Sequence, residues 1–290
     1  MEEIMKYITL NDGNKMPQLG FGLFQISDSA KANQAVKDAI DVGYRLFDTA
    51  VAYNNEEAVG SAIRDSGIDR ENFFITSKLW INQYKYEDAK KAIDESLKRL
   101  KTSYLDLYLL HQPYGDIAGA WKALEEAQQE GKIRSIGVSN FYPDQVKNLE
   151  LMSHVKPAIN QIEVSPWYQR TKELDYYQNQ DIAIEAWAPL AEGKNDIFTN
   201  EIIAKIGEKY HCSNAQVILR WLIQRGLVVI PKTIHKVRMA ENIDVFDFEL
   251  STEDMETIAK LDKGQSQFFN HRDPLAIESI FGNSIRSLKI

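Results

Sequence analysis

Cysteine is almost absent from this sequence. Cys212 is the only one, so no disulfide can form within the chain. A chain with no disulfide framework is typical of a reducing compartment, and we expect a cytoplasmic protein.

Long hydrophobic runs are also missing. None approaches the roughly 20 apolar residues that a membrane-spanning helix needs. The start, Met1-Glu2-Glu3, is acidic and has no apolar core of a signal peptide. We therefore expect neither membrane insertion nor secretion.

Basic residues are in deficit. Lys and Arg number 34 against 42 Asp and Glu, which gives a net charge of −8. Such a balance argues against nucleic acid or an anionic membrane as the main partner. It leaves room for a local basic site that binds one phosphate.

Two motifs that often accompany cofactors do not occur. The segment 20–25, Gly-Phe-Gly-Leu-Phe-Gln, lacks the third glycine of a Rossmann turn, and no other G-x-G-x-x-G is present. No group of His and Cys has the spacing of metal ligands, so we expect no metal. A dinucleotide would have to be held in another way.

Short apolar runs do recur along the chain, each followed by a helix-like segment. The runs begin near the residues Pro17, Tyr44, Phe73, Tyr104, Lys132, Pro157, Asp181 and Leu227. Most steps are close to the roughly 25–30 residues of a βα unit, and one is longer. This pattern predicts an α/β fold, a (β/α)₈ barrel, as a single domain over 1–290 with residues 265–290 as a carboxyl-terminal tail.

Helical periodicity supports this architecture. In 86–100 the small and apolar residues fall on one stripe, which predicts a helix. Two further helices are predicted at 200–210 and 213–225, within the longer step. Gly43 and Gly131 follow helical segments and are expected to end them in a left-handed conformation.

Polar side chains stand where consecutive predicted strands end. Asp48 ends the second strand, with Tyr53 in the loop behind it. Lys78 ends the third, and His111 ends the fourth. The carboxyl ends of barrel strands carry function, so these four are candidate catalytic residues. Each also has an ordinary structural explanation: a helix cap, a loop anchor, a solvent-facing lysine or a core histidine.

Together the four suggest proton donation. A phenol is a weak acid at neutral pH, and a buried ammonium nearby lowers its pKa. We expect Lys78 to act in this way on Tyr53, with Asp48 keeping Lys78 charged. His111 would hold a substrate carbonyl against Tyr53.

The last two predicted strands suggest a phosphate site. Lys232, Thr233 and Arg238 surround a predicted helix start, where backbone N–H groups favour anions. A solvated basic loop would look the same. Trp187, at the end of the seventh strand, is a candidate to stack on a nicotinamide ring, or a core tryptophan.

These segments resemble the aldo-keto reductases, from about Met16 to about Pro274. The resemblance lies in five ordered motifs, DTAVAYNNE at 48–56, ITSKLW at 75–80, LDLYLLHQP at 105–113, GVSNF at 137–141 and IPKT at 230–233. Trp187 stands where many animal members have tyrosine. In this respect the chain is similar to microbial members such as 2,5-diketo-gluconate and glyoxal or methylglyoxal reductases.

The resemblance implies NADPH-dependent reduction of an aldehyde or ketone, such as a 2-oxoaldehyde, keto sugar or keto acid, by a monomer. Tyr53 would be the proton donor, with Asp48, Lys78 and His111 completing the catalytic set. Phe24 and Trp80 would line the substrate pocket. The implied cofactor-binding residues are Gly22, Ser139, Asn140, Gln161, Trp187, Pro189, Leu190, Lys232, Thr233, Arg238, Glu241 and Asn242.

Three departures from the family pattern stand out. His235 replaces a second arginine of some members, which weakens the expected hold on a 2′-phosphate. Ala188 replaces a common serine, and 191–198 is short where some members have a long cofactor-covering loop.

Two other interpretations remain open. One is a regulatory protein that holds the cofactor on the same fold. The other is a barrel isomerase or aldolase that uses Lys78 as a Schiff base.

Overall fold

A sheet of eight parallel strands forms the centre of the computed structural model, which describes residues 5–288. A hairpin of β1 (Tyr7–Thr9) and β2 (Lys15–Pro17) precedes it. The eight strands are β3 (Phe21–Gly22), β4 (Leu46–Asp48), β5 (Phe74–Leu79), β6 (Leu105–Leu110), β7 (Ile133–Ser139), β8 (Ile159–Glu163), β9 (Ala183–Trp187) and β10 (Val228–Val229). Each pairs with the next in chain order.

Hydrogen bonds also join the two edges of this sheet. The amide of Gly20 donates to Val229 O at 2.8 Å, and the amide of Val229 donates to Gln18 O at 3.0 Å. The curled parallel sheet is consistent with the predicted (β/α)₈ barrel.

The first predicted strand begins a few residues early. Pro17 is the last residue of the hairpin strand β2, and the first strand of the large sheet is β3, preceded by a parallel bridge between Leu19 and Val229. Met16 of the hairpin is fully buried. It packs with Leu46 and Leu107 of the large sheet, so the hairpin supplies side chains to the sheet's inner core.

The strands are buried on both faces, as the continuous apolar runs predicted. In β6, Leu107 and Leu109 belong to the inner cluster. Tyr108 and Leu110 point the other way and pack in the outer cluster with the helices. The alternation aims successive side chains inward and outward, and it sets which strand-end residues face one another.

The helices lie between and after these strands. They are α1 (Ser29–Val42), α2 (Glu56–Asp65), α3 (Tyr86–Leu100), α4 (Ile117–Gln129), α5 (Pro143–Met152), α6 (Thr171–Asn179), α7 (Glu201–Tyr210), α8 (Asn214–Gln224), α9 (Lys236–Ile243), α10 (Thr252–Ala259) and α11 (Pro274–Ser287). None in the described part of the chain is long and apolar enough to cross a membrane.

Predicted helix positions and ends are confirmed. Helix α3 has the predicted bounds, and α7 and α8 fill the longer step. Gly43 ends α1 with φ 117°, a conformation that strains residues with a Cβ. Gly131, with φ 75°, follows α4 in the same way.

The carboxyl-terminal segment differs from the plain tail expected for 265–290, since most of its described part is helix α11. Residues 289 and 290 lie outside the described residues. So does the acidic start Met1-Glu2-Glu3, on which the expectation of no signal peptide rests.

Candidate active site

The four candidate catalytic residues meet at the carboxyl ends of the strands. Asp48 is the last residue of β4, and Tyr53 closes a 3₁₀ turn behind it. Lys78 lies one residue before the end of β5, and His111 directly follows β6. The sequence-based prediction for their common location therefore holds.

Lys78 links two of them. Its ammonium donates to Asp48 Oδ1 at 2.5 Å, to Thr49 O at 2.9 Å and to Tyr53 Oη at 3.5 Å. The Lys78 side chain is fully buried. A buried cation needs a paired charge and satisfied donors, and Lys78 has both.

The ammonium of Lys78 stays charged in this setting. Burial is the largest single effect and lowers the pKa of Lys78, but the charge and hydrogen bond of Asp48, together with Tyr53 and Glu185, give a net rise in that pKa. The cation next to Tyr53 is thus stable at neutral pH.

The expected lowering of the Tyr53 pKa is not the net effect. Burial raises the pKa of Tyr53 to about 12; Lys78 opposes this rise and Asp48 adds to it. Desolvation of the phenolate is the larger effect, and its size cannot be estimated from strand-end positions alone. Tyr53 is consequently a protonated phenol at neutral pH, which is the form that a proton donor requires.

His111 is neutral and lies beside Tyr53. The two rings have centroids 5.6 Å apart. Burial, with a further contribution from Lys78, lowers the pKa of His111 well below its usual value. Its Nδ1 is buried and has no hydrogen-bond partner among the described residues. A neutral imidazole has one N–H to donate, which suits a carbonyl oxygen.

Aromatic rings surround this pair. Trp80 lies 5.0 Å from His111, and Phe24 lies 5.1 Å from Tyr53, both measured between ring centroids. Phe24 is half exposed. Both residues predicted to line a substrate pocket are thus next to the candidate catalytic side chains Tyr53 and His111.

Polar side chains on the neighbouring strands form a second group. Ser139 Oγ donates to Gln161 O at 2.9 Å. Asn140, whose φ is 64°, donates to Ser139 Oγ at 3.1 Å and accepts from Trp187 Nε1 at 2.9 Å. The structure therefore brings together these four predicted cofactor residues.

Glu185 of β9 also belongs to this group, and the sequence analysis missed it. It is fully buried and accepts a hydrogen bond from Gln161 Nε2 at 2.7 Å, while the same nitrogen donates to Asp48 Oδ2 at 2.8 Å. The available signal was a lone carboxylate within the apolar run 182–187. It went unnoticed because Glu185 is inside the strand rather than at its end.

The predicted phosphate region lies at and before the start of α9. Lys232 and Arg238 are exposed, and their side chains make no hydrogen bond or ion pair with another described residue. Thr233 is buried, and its Oγ1 accepts from the amide of His235 at 3.2 Å. His235 precedes the first residue of α9 and its side chain caps nothing. Two unpartnered cations at a helix start fit a phosphate.

The remaining predicted cofactor residues lie at or just after the ends of β3 and β9, or within α9. A Cβ on Gly22 would lie 2.8 Å from Ile230 O, so this backbone approaches its neighbour closely. Glu241 is already engaged by Ser213 Oγ. Asn242 and Pro189 are buried and Leu190 is partly buried.

The departures from the family pattern have a structural setting. Ala188 has φ 47°. The segment 191–198 reaches the carboxyl-terminal segment, since Lys194 Nζ donates to Gln267 O at 3.3 Å. Gln25 Nε2 donates to Glu192 Oε2 of this segment at 3.4 Å. Among the described residues no group of three or more His, Cys, Asp or Glu could hold a metal.

Known proteins resemble this chain over most of its length. The aldo/keto reductase family model matches residues 18–263. A glyoxal reductase of Bacillus subtilis is 46% identical over 259 residues, which are 89% of this chain and 93% of that protein. The methylglyoxal reductase DkgA of Escherichia coli K12 is 43% identical over 261 residues, or 89% and 94% of the two chains.

A solved structure agrees with these matches. An aldo/keto reductase from Brucella melitensis superposes with a TM-score of 0.86 at 44% identity, and the match covers 89% of this chain and all 100% of that one. The resemblance predicted from the motifs is confirmed: this chain belongs to the aldo/keto reductase family.

Proposed function

We propose that this carbonyl-reducing oxidoreductase uses NADPH to convert small aldehydes or ketones to alcohols, with Tyr53 as the proton donor. The observation that carries the proposal is the joint placement of Asp48, Lys78, Tyr53 and His111 at the strand ends. Bound NADPH would supply a hydride to the carbonyl carbon.

The chain's own residues supply the proton and orient the substrate carbonyl. Neutral His111 donates a hydrogen bond to the carbonyl oxygen and holds it beside Tyr53. Tyr53 gives its proton to that oxygen. The Lys78 ammonium, 3.5 Å from the phenol oxygen, stabilises the phenolate that remains. Asp48 keeps the ammonium in place.

The cofactor preference rests on the start of α9. Lys232, Thr233 and Arg238 would hold the 2′-phosphate that distinguishes NADPH from NADH. Ser139, Asn140, Gln161 and Trp187 would hold and orient the nicotinamide. The Gly22, Pro189, Leu190, Glu241 and Asn242 positions would bound the rest of the cofactor.

The proposed substrates are 2-oxoaldehydes, with keto sugars and keto acids as further members of the class. Phe24 and Trp80 give the mouth of the site apolar walls around a polar centre. The names of the two bacterial relatives, glyoxal reductase and methylglyoxal reductase, point to the same class.

We further propose that the protein is one closed (β/α)₈ barrel domain that works as a monomer in the cytoplasm. The hydrogen bonds between residues 18–20 and 229 support the closed sheet. The single cysteine, partly buried, agrees with a reducing compartment.

A Schiff base on Lys78 is disfavoured by the same geometry. That chemistry needs a neutral amine, whereas Asp48 holds Lys78 as an ammonium. The other alternative is a regulatory protein that holds the cofactor. Such a protein would bind NADPH but would reduce almost no carbonyl substrate.

The test is carbonyl-dependent loss of NADPH absorbance with methylglyoxal as the substrate. We expect many turnovers per protein molecule, and product analysis should find the alcohol. Binding of NADPH with no turnover over a broad set of aldehydes and ketones would favour the regulatory alternative.

A further inference from the structure

Glu185 is placed to act on the catalytic residues through Gln161. The two residues are register partners on the adjacent strands β8 and β9. Gln161 Nε2 lies 2.7 Å from Glu185 Oε2 and 2.8 Å from Asp48 Oδ2. Because an amide nitrogen carries two hydrogens, these two carboxyl groups use both of them.

This arrangement fixes the orientation of the Gln161 amide. The ionised Asp48 carboxylate can only accept a hydrogen bond, so the NH₂ group of Gln161 must face it and the Oε1 atom must face away. Glu185 Oε2 accepts from the same nitrogen, as the carbonyl oxygen of a neutral carboxyl group also can. Gln161 Oε1 makes no hydrogen bond with another described residue. It is therefore free to accept one from a ligand.

The charges of this cluster do not balance if both carboxyl groups are ionised. Lys78 is the cation that pairs with Asp48, and it contacts Asp48 rather than Glu185. Glu185 is fully buried, and its Oε1 has no hydrogen-bond partner among the described residues. Its register partner on β10 is the apolar Val228.

The charged and titratable groups that act on Glu185 are Asp48 and Lys78, with Tyr53 beyond them. Burial first, and then repulsion by Asp48, raise the pKa of Glu185 to about 8. Burial raises the pKa of Asp48 as well, but the Lys78 ammonium and the hydrogen bonds to Asp48 oppose that rise. Because Lys78 contacts Asp48 and not Glu185, the proton of this pair stays on Glu185 at pH 7 and Asp48 is the anion that faces Lys78.

We propose that Glu185 is a positioning residue for the catalytic site: it orients the Gln161 amide and, by staying neutral, leaves Asp48 as the sole anion opposite Lys78. This inference rests on the proposed function, since it assigns Glu185 a role in the proposed reduction.

Ionisation of Glu185 changes the acidity of Tyr53. A second buried anion near Tyr53 stabilises the phenol over the phenolate, and so raises the Tyr53 pKa further. A phenol with a higher pKa is a poorer proton donor. Carbonyl reduction by the wild type consequently falls as pH rises through about 8.

Glu185→Gln separates charge from hydrogen bonding. The glutamine can still accept from Gln161 but cannot ionise. This variant keeps its NADPH dissociation constant near the wild-type value and loses the decline in kcat near pH 8. Glu185→Met, which removes the acceptor as well, weakens NADPH binding about 2- to 10-fold, the worth of one hydrogen bond.

Protein stability gives a readout that is independent of turnover. Between pH 5 and the Glu185 pKa of about 8, folded Glu185 keeps a proton that an unfolded glutamic acid has released. As pH rises through this range, the wild type therefore loses stability relative to Glu185→Gln. The folding equilibrium constant falls by up to roughly tenfold per pH unit. Above that pKa the difference levels off.

The experiment compares urea unfolding from pH 5 to 9, NADPH affinity by fluorescence and the pH profile of kcat, for the wild type and both variants. Glu125→Gln is the control, because Glu125 is also buried but accepts from the amides of His154 and Val155, away from the site. If the wild type and Glu185→Gln show the same pH dependence of stability and of kcat, the role of Glu185 is overturned. The proposed function would still stand in that case, provided that the wild type turns over. A wild type without turnover would refute the function instead, and the unfolding series would still decide whether Glu185 holds its proton.

Discussion

At the scale of the residue, Lys78 is the cation that pairs with the Asp48 carboxylate and lies beside the Tyr53 hydroxyl. Lys78→Met should lower kcat by about 10²–10⁴, as loss of proton donation does. It should also cost about 3 kcal/mol of stability, because Asp48 is left as an unpaired buried charge.

Non-additivity is the sharper part of this prediction. The double variant Lys78→Met with Tyr53→Phe should lose little more activity than either single variant, since groups that act as one unit are not independent. Lys31→Met, at an exposed position of α1, is the control for removing a lysine. Losses that simply add would show that Lys78 and Tyr53 act separately.

The sequence located the candidate catalytic residues because their positions at strand ends follow from the βα repeat. It did not give their energetics. The pKa of Tyr53 depends on burial that only packing reveals, and burial outweighs the nearby ammonium. Glu185 escaped notice for a similar reason, because a buried carboxyl inside an apolar strand becomes informative only when its neighbours are known.

At the scale of the element, α9 is expected to set the cofactor preference. Arg238 lies in its first turn and Lys232 precedes it, so both can meet a phosphate at the helix start. A charge-assisted hydrogen bond contributes about 1.5–3 kcal/mol, and each ~1.4 kcal/mol is a factor of ten. Arg238→Ala should therefore reduce the NADPH-over-NADH ratio of kcat/KM by about 10- to 150-fold.

Two variants of the same helix complete this test. His235→Arg should widen the ratio, since it adds a permanent charge beside the same site. Val237→Ala, at a position that is 81% exposed, should leave it unchanged. An unchanged ratio in Arg238→Ala would place the phosphate elsewhere.

Helix α11 is expected to hold the aromatic wall of the substrate site. Phe281 is buried and packs against Trp80 at 6.0 Å and Tyr114 at 5.2 Å between ring centroids, and Trp80 Nε1 donates to Ser284 Oγ at 3.1 Å. Phe281→Ala should cost about 3–5 kcal/mol of unfolding free energy.

The substrate KM should also rise in Phe281→Ala, because Trp80 loses a packing partner. Leu275→Ala on the same helix is the control, since Leu275 is 79% exposed. Equal KM values for all three proteins would separate α11 from the substrate site.

Elements were predictable where a local signal specified them. Helix α3 follows from the apolar stripe in 86–100, and α7 and α8 follow from the length of the step between strands that holds them. The hairpin at Pro17 and helix α11 were not, because their positions depend on distant contacts. Leu275 and Ile280 of α11 are apolar but exposed, so the apolar residues of this helix do not by themselves mark its buried face.

At the scale of the whole molecule, the repeat of strand and helix predicted the parallel sheet and the shared edge at which function lies. Repetition is a global signal that survives errors in single elements, such as the early start predicted for the first strand. Which loops meet above that edge is not encoded in any one repeat. The contact between Lys194 and the carboxyl-terminal segment at Gln267 became visible only in the folded chain.

The most direct test of the whole account measures NADPH oxidation with methylglyoxal, together with NADPH affinity, for the wild type and Tyr53→Phe. The account predicts turnover by the wild type and a kcat about 10²–10⁴-fold lower in Tyr53→Phe, because that variant lacks only the acidic hydroxyl. NADPH should bind both proteins with nearly equal affinity. Retention of more than about a tenth of the wild-type rate by Tyr53→Phe would contradict the assignment of Tyr53 as the proton donor.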